Sequence, residues 1–182
     1  MAKRKGSVLG IIAFIFSIIG LGLGGYALYS TWGITNQTIV PEVHRARVYL
    51  TSSYSITDFN YHVVNFNAID YNVGNNFDLT TDTFTCTYGG YYLISGMVTL
   101  YYLDDGEYMY VAIYRNTTIL EAGNSVHASL SRETSAEIVD ILYLNIGDSI
   151  QLKVLHSHTP ETNVLGLSFA TWTYLSIGLI QN

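Results

Sequence analysis

Residues 66–94 read FNAIDYNVGNNFDLTTDTFTCTYGGYYLI, and this stretch decides the fold. From Phe84 to Tyr88, larger side chains alternate with threonines, which is the period-two pattern of a half-buried strand. The polar run that starts at Asn72 predicts a turn, and the long aromatic and β-branched run over 91–103 predicts a second strand. The aromatic side chains of this stretch would bury on the order of 150–250 Å² each in one core.

The rest of the chain extends this β pattern. Beyond Ala46 there is no convincing amphipathic helix, and turn signals separate many short strand candidates. Such a series predicts an all-β, antiparallel jelly-roll sandwich of about ten strands. The predicted strands are 46–51, 62–66, 69–71, 76–78, 83–88, 91–103, 107–115, 118–121, 136–145, 149–156 and 170–180.

Seven positions in the opening stretch form a spaced motif. They are Phe66, Asn72, Phe77, Phe84, Gly90, Tyr92 and Ile94. This spacing resembles the signature of the globular head of complement component one, subcomponent q, whose fold is shared with the tumour necrosis factor superfamily. Two departures stand at its end, because the family prefers phenylalanine at Ile94 and an aromatic residue at Gly96. The glycine-aspartate turn at Gly147 and the terminal strand around Gly178 extend the resemblance over about residues 65–182.

The N-terminal 44 residues predict a membrane anchor and a stalk. Residues 8–29 carry no charge, and a helix of that length would be about 33 Å long, enough for a hydrocarbon core of about 30 Å. Basic residues precede this segment, so residues 1–7 are predicted to be a cytoplasmic tail. Residues 30–44 are predicted to be a stalk and 45–182 an extracellular head. The alternative is a pilin-like leader, cleaved after Gly6, on a filament or surface-coat subunit.

Tyrosine-rich strands predict a protein interface. The chain has 16 tyrosines, and Tyr108, Tyr110 and Tyr114 share one face of the predicted strand 107–115. Amphipathic aromatic side chains are favoured at interfaces, although high strand propensity alone also accounts for them. The family resemblance implies homotrimers that pack through aromatic-rich sheet faces. We therefore expect these three tyrosines to lie at subunit contacts.

Ionisable groups give weaker indications of chemistry. His156 and His158 could hold zinc, but no cysteine or carboxylate stands nearby in sequence to complete a site. Asp104 and Asp105 flank a turn glycine and are weak candidates for calcium, while the Asp-Gly pair by itself predicts a tight hairpin. No cofactor is otherwise expected. Without a phosphate loop or a nucleophile motif, the sequence predicts a protein that is not an enzyme.

Further indications concern the environment of the chain. Asn36 and Asn116 fit the N-glycosylation pattern, which agrees with an exterior head. Cys86 is the single cysteine and is predicted to be a buried, inert thiol. The 14 acidic residues all follow the predicted anchor, where five basic residues stand, so a nucleic-acid footprint is disfavoured.

Together these patterns predict a single-pass cell-surface protein with a cytoplasmic N-terminus. Its head would be a homotrimeric recognition or adhesion module that binds a protein or glycan ligand through several heads at once.

Overall fold

Thirteen strands make up the part of the chain that the computed structural model describes, residues 44–167 and 172–182. Within these two ranges no helix is long and apolar enough to cross a membrane. The predicted tail, the predicted membrane span 8–29 and the predicted stalk up to residue 43 lie outside the described residues. The candidate glycosylation site at Asn36 lies outside them as well.

The strands have the following bounds. They are β1 (Arg45–Tyr49), β2 (Tyr54–Thr57), β3 (His62–Val63), β4 (Ala68–Val73), β5 (Phe77–Asp78), β6 (Thr83–Thr85), β7 (Gly90–Leu103), β8 (Tyr108–Arg115), β9 (Ile119–His127), β10 (Arg132–Leu144), β11 (Ser149–His156), β12 (Glu161–Val164) and β13 (Tyr174–Gln181).

Two antiparallel sheets form a sandwich. The first sheet has seven strands in the order β2-β12-β7-β13-β1-β4, and β10 pairs with β7 along nearly its whole length. The second sheet has six strands in the order β5-β6-β11-β8-β9, and β3 pairs with β11. Sequential strands repeatedly change sheet, as in a jelly roll, so the predicted antiparallel all-β sandwich is confirmed for the described residues.

The hydrophobic core lies between the sheets and contains the aromatic residues of the motif. Phe84 and Tyr92 have no exposed surface, and their rings meet edge to face at 5.6 Å. Phe66 and Phe77 form a second edge-to-face pair at 6.0 Å. Residues Glu42–Asn182 form one compact unit around this core. The spacing of the motif therefore reflects which positions of several short strands point inwards.

The polar and glycine positions of the motif have equally local causes. The side chain of Asn72 closes the turn before β5, because its amide donates to the Phe77 carbonyl (2.9 Å) and its oxygen accepts from the Phe77 N–H (3.1 Å). Gly90 lies against the last strand, where a Cβ atom would come within 2.5 Å of the Gln181 carbonyl oxygen. Only glycine permits that close approach without a shift of the backbone.

Gly96 differs from the family preference, and the structure gives a packing reason. The side chain of Leu152, on the facing sheet, occupies the space above Gly96, and a Cβ atom there would lie 2.8 Å from Leu152 Cδ1. Leu152 is itself fully buried. A large side chain from the second sheet thus fills the volume that an aromatic residue at position 96 would need.

Several predicted strand boundaries were wrong. The pattern missed β2 and β12, which pair with each other, because each is only four residues long and turns few apolar side chains to the core. β9 and β10 are longer than predicted, reaching His127 and beginning at Arg132. The Asp104–Glu107 turn is tight, with Gly106 at φ +85°, but it joins strands of different sheets and does not close a hairpin.

Candidate subunit interface

The outer face of the first sheet carries an exposed group of large apolar side chains. Five of them, on two adjacent strands, are each 41–58% exposed. We call them the apolar strip, and they are Tyr91 and Leu93 of β7 with Val139, Ile141 and Tyr143 of β10. An antiparallel sheet that covers one core normally presents polar side chains on its other face. An apolar strip on the outer face of this sheet therefore indicates a surface that contacts another molecule.

Strand register makes the apolar strip continuous. Tyr143 pairs with Tyr91, and Ile141 pairs with Leu93. The two tyrosine rings meet edge to face at 5.1 Å. Val139 follows on the same face, two residues along β10, opposite Ser95. Because residues two apart on a strand share a face, these rungs form one patch and not scattered exposed residues.

Small residues lie beside the apolar strip on β13. Gly178 pairs with Leu93, and Ser176 pairs with Ser95. Because glycine and serine have small side chains, the face next to the strip is nearly flat. Among the described residues, the atom that a Cβ atom at Gly178 would meet is Arg45 Cβ, at 3.7 Å. This flat region would let a second sheet approach closely, in the way that interface cores pack at interior density.

Polar side chains border the strip on β1, β4 and β13. The Tyr174 hydroxyl donates to Glu137 Oε1 at 3.2 Å, and the Arg47 guanidinium lies 4.6 Å from the centre of the Tyr174 ring. Arg47 also lies 3.9 Å from Asp70, an ion pair exposed to solvent. An apolar centre with a polar border is the usual arrangement of a protein interface.

The tyrosines predicted as subunit contacts lie on the second sheet. Tyr108, Tyr110 and Tyr114 point away from the core and are half-buried. Their own chain covers them in part, since the Tyr61 ring meets the rings of Tyr110 and Tyr114 at 6.1 and 5.5 Å. Partial burial raises the pKa of Tyr61, and the neighbouring Tyr114 adds to this effect. A contact between these tyrosines and another subunit stays a prediction.

The other candidate site residues are dispersed. Asp104 lies at the turn beside Glu107 and His158, whereas Asp105 is exposed and not part of that group. Although no carboxylate stands near the two histidines in sequence, one approaches His158 in space, since its Nδ1 lies 2.7 Å from Glu107 Oε2. His156 is fully buried, and burial lowers its pKa.

Asn116 and Cys86 have defined surroundings. The Asn116 amide donates to Asp148 Oδ1 at 2.9 Å, and its oxygen accepts from the Ser149 N–H at 3.0 Å. Asn116 is exposed at the β8–β9 turn, and its glycosylation stays a prediction. Cys86 is buried as predicted, and burial raises the pKa of its thiol, so the reactive thiolate is disfavoured.

Sequence reasoning missed the apolar strip. A signal was present in β10, where Ile138 and Leu144 alternate with Val139, Ile141 and Tyr143, so both faces of one strand are apolar. Strands of that kind have either two covered faces or one face that contacts another molecule.

Comparisons with known proteins agree with the motif and the fold. A family model described as the C1q domain matches residues 48–170, more than half of the chain. Among curated proteins, none matches the sequence of this chain. The globular domain of zebrafish complement 1qA protein is similar in structure, with a TM-score of 0.60 and 16% identity over 78% of this chain and 100% of that one.

Two tumour necrosis factor relatives have the same fold. The Eiger tumour necrosis factor from S. frugiperda has a TM-score of 0.59 and 13% identity, over 78% of this chain and 94% of that one. Murine APRIL at pH 5.0 has a TM-score of 0.56 and 16% identity, over 75% of this chain and 99% of that one. The resemblance found in the sequence is confirmed, and the chain belongs to the C1q domain family.

Proposed function

We propose that three copies of this chain assemble through the apolar strip and that the trimer recognises a protein or glycan ligand. The observation that carries the proposal is the exposed strip on β7 and β10. Heads of this family commonly act as trimeric recognition modules. The molecules that cover the strip would therefore be two further copies of the same chain. Recognition, and not catalysis, is the function that we assign.

Covering the strip would contribute favourable free energy to association. Fully burying one large apolar side chain contributes about 1.5–3 kcal/mol, so covering the exposed half of each would contribute roughly 1 kcal/mol. Five such side chains give on the order of 5 kcal/mol for each chain. Contacts with the flat region around Gly178 add to this value. A strip left in water would instead favour non-specific aggregation.

Multivalency follows from the assembly. Three identical heads that engage neighbouring ligands together raise the apparent affinity by about 10²–10⁴ over one head, without any new contact. The connecting loops at the ends of the sandwich are the parts free to select the ligand.

Two substitutions test the assembly. Ile141→Glu places a charge in the centre of the strip and is expected to convert a trimer into monomers in analytical ultracentrifugation. Leu120→Glu is the matched control, because Leu120 is an exposed apolar residue on β9 of the second sheet, and it is expected to leave the trimer intact. Trimers that survive Ile141→Glu but dissociate with Leu120→Glu would place the interface on the second sheet and overturn the proposal.

The same variants test recognition. On immobilised glycan and protein panels, the wild-type trimer is expected to bind with an apparent affinity at least about 100-fold higher than the folded Ile141→Glu monomer. Equal binding by the two proteins would contradict recognition through several heads.

We also propose that residues 8–29 anchor the head at the cell surface, with the N-terminus in the cytoplasm. The uncharged length of this segment and the basic residues before it support this topology. An epitope tag placed after Asn182 should then be digested by protease added to intact cells, whereas a tag before residue 3 should be protected. The reverse pattern, or loss of the first six residues from the mature protein, would contradict the proposal.

A further inference from the structure

The connection between β11 and β12 brings His158 against the turn between β7 and β8. His158 Nδ1 lies 2.7 Å from Glu107 Oε2 and 3.8 Å from Asp104 Oδ2. Three possible ligand atoms, one from each residue, lie within 4.8 Å of one another. We propose that Asp104, Glu107 and His158 bind a divalent transition metal ion of the zinc type.

Backbone hydrogen bonds hold the two segments of this site together. The Tyr108 N–H donates to Ser157 Oγ at 2.9 Å, and the Ser157 N–H donates to the Tyr108 carbonyl at 3.0 Å. The Gly106 N–H donates to the Ala128 carbonyl at 2.9 Å and fixes the turn. The ligand residues therefore stand on anchored backbone, which reduces the ordering that metal binding would require.

Neighbouring groups also orient the ligand side chains. Ser131 Oγ donates to Asp104 Oδ1 at 3.1 Å, which leaves Asp104 Oδ2 directed to the histidine side of the group. The Asp104 N–H donates to Glu107 Oε2 at 2.7 Å, and the Tyr102 ring packs edge-on against the His158 ring at 5.6 Å. Hydrogen bonds from outer groups to ligand carboxylates are a regular feature of metal sites.

The charges of the group favour a cation. Among the described residues, His158 is the only basic side chain in the ion pairs of Asp104 and Glu107. One imidazole offsets at most one carboxylate charge, and only when it is protonated. A divalent ion would balance both carboxylates while the imidazole binds in its neutral form.

The donor set selects the class of metal. Imidazole nitrogen together with carboxylate oxygen suits zinc, whereas calcium takes six to eight oxygen ligands. Bond lengths of about 2.0–2.2 Å in a tetrahedral site place ligand atoms about 3.4 Å apart. The observed separations from His158 Nδ1, 2.7 and 3.8 Å, lie on either side of that value. Asp104 is half exposed, so its side chain has room to adjust.

Calorimetric titration of the full chain, purified in mild detergent and freed of metal by a chelator, tests the proposal. Zinc is expected to bind in a ratio of one ion per chain, and His158→Ala is expected to weaken binding by at least about 100-fold. His127→Ala is the matched control, since His127 is an exposed histidine on β9 outside the group. It should bind zinc as the wild type does.

Two further measurements separate a metal site from loss of folding. Glu107→Gln keeps an acceptor for the Asp104 N–H and is expected to weaken zinc binding at least about 10-fold while its unfolding midpoint without metal stays near the wild-type value. Cobalt should give visible absorption bands in the wild type that disappear in His158→Ala. No zinc binding by the wild type, equal binding by His158→Ala and His127→Ala, or calcium binding as tight as zinc binding would overturn the proposal. None of these results depends on the trimer.

Discussion

Asp82→Asn should stabilise the domain at neutral pH, because the Asp82 carboxyl group is buried and its ionisation destabilises the folded state. The Asp82 side chain is 8% exposed, and its Oδ1 accepts a hydrogen bond from the Phe66 N–H at 2.7 Å. Burial raises the pKa of Asp82 from its usual 3.8 to about 6, against the opposing effect of the Phe66 hydrogen bond, and nearby Asp78 raises it further. Ionising the Asp82 carboxyl group therefore costs more free energy in the folded chain than in the unfolded chain.

The difference between 3.8 and about 6 corresponds to at most about 3 kcal/mol of unfolding free energy, and contact of the carboxyl group with solvent reduces this value. Because the folded state binds this proton more tightly, stability falls as pH rises from 3.8 to 6, and the whole cost is present above pH 6. Asparagine carries no charge, keeps an oxygen for the Phe66 N–H, and tolerates the backbone φ of +51°. We expect a gain of about 1–3 kcal/mol at pH 7.5 and almost none at pH 4.

Urea unfolding of residues 42–182, followed by the fluorescence of Trp172 at one fixed protein concentration, measures this gain. Asp78→Asn is the matched control, because Asp78 is exposed and its pKa is lowered by hydrogen bonds from Thr80 and Thr81. Its charge is held by these hydrogen bonds, and removing it relieves only the smaller repulsion on Asp82, so any gain at pH 7.5 should be well below that of Asp82→Asn. A loss of stability in Asp82→Asn at pH 7.5, or a gain of equal size at pH 4, would refute the reasoning.

Two further predictions concern the effect of backbone geometry on stability. Asn116 and Thr117 both have positive φ, +51° and +66°, in the β8–β9 turn, and glycine adopts such a conformation without the steric cost that a β-branched residue has. Thr117→Gly should therefore raise the unfolding free energy by about 0.5–1 kcal/mol, measured by the same urea titration, and a loss would contradict it. Gly90→Ala should destabilise the domain by at least about 2 kcal/mol, because its Cβ atom would meet the Gln181 carbonyl, whereas Gly89→Ala, with 3.6 Å to its nearest atom, should be tolerated. Equal thermal midpoints for the two glycine variants would refute the close-approach argument.

The fold could be predicted from sequence because its signals are local. The alternation from Phe84 to Tyr88 identifies a strand, and the Asn72 turn with the following aromatic residues identifies the family. The structure shows why these residue types are needed. The Asn72 side chain makes two hydrogen bonds with the Phe77 backbone, and the absence of a side chain at Gly90 lets the final strand pack closely. Short strands such as β2 and β12 carry too few inward side chains to be found by periodicity alone.

The candidate interface could not be predicted in the same way. In β10 both faces are apolar, and alternation alone cannot tell Ile138, which is buried, from Val139, which is exposed. The tyrosines of β8 gave a clearer pattern than the apolar strip, although their own chain covers them in part. Strand pairing across the whole sheet decides which face is free, and that pairing joins residues far apart in sequence.

The group around His158 shows the same limit. Glu107 and His158 are 51 positions apart, and they meet because β8 and β11 are antiparallel neighbours whose register pairs Met109 with His156, just inside these two residues. The spacing of the two histidines suggests at most a site shared by His156 and His158, which the sequence does not favour because no further ligand stands nearby in sequence. In the structure His156 enters the core at the end of β11, while His158 lies beyond the strand.

The most direct test of the account is the molar mass of residues 42–182 in solution, measured by light scattering on a gel-filtration column. The account predicts three times the mass of one chain, independent of protein concentration over the measured range. A stable, soluble monomer with the apolar strip exposed would contradict the proposed assembly and the recognition through several heads that depends on it.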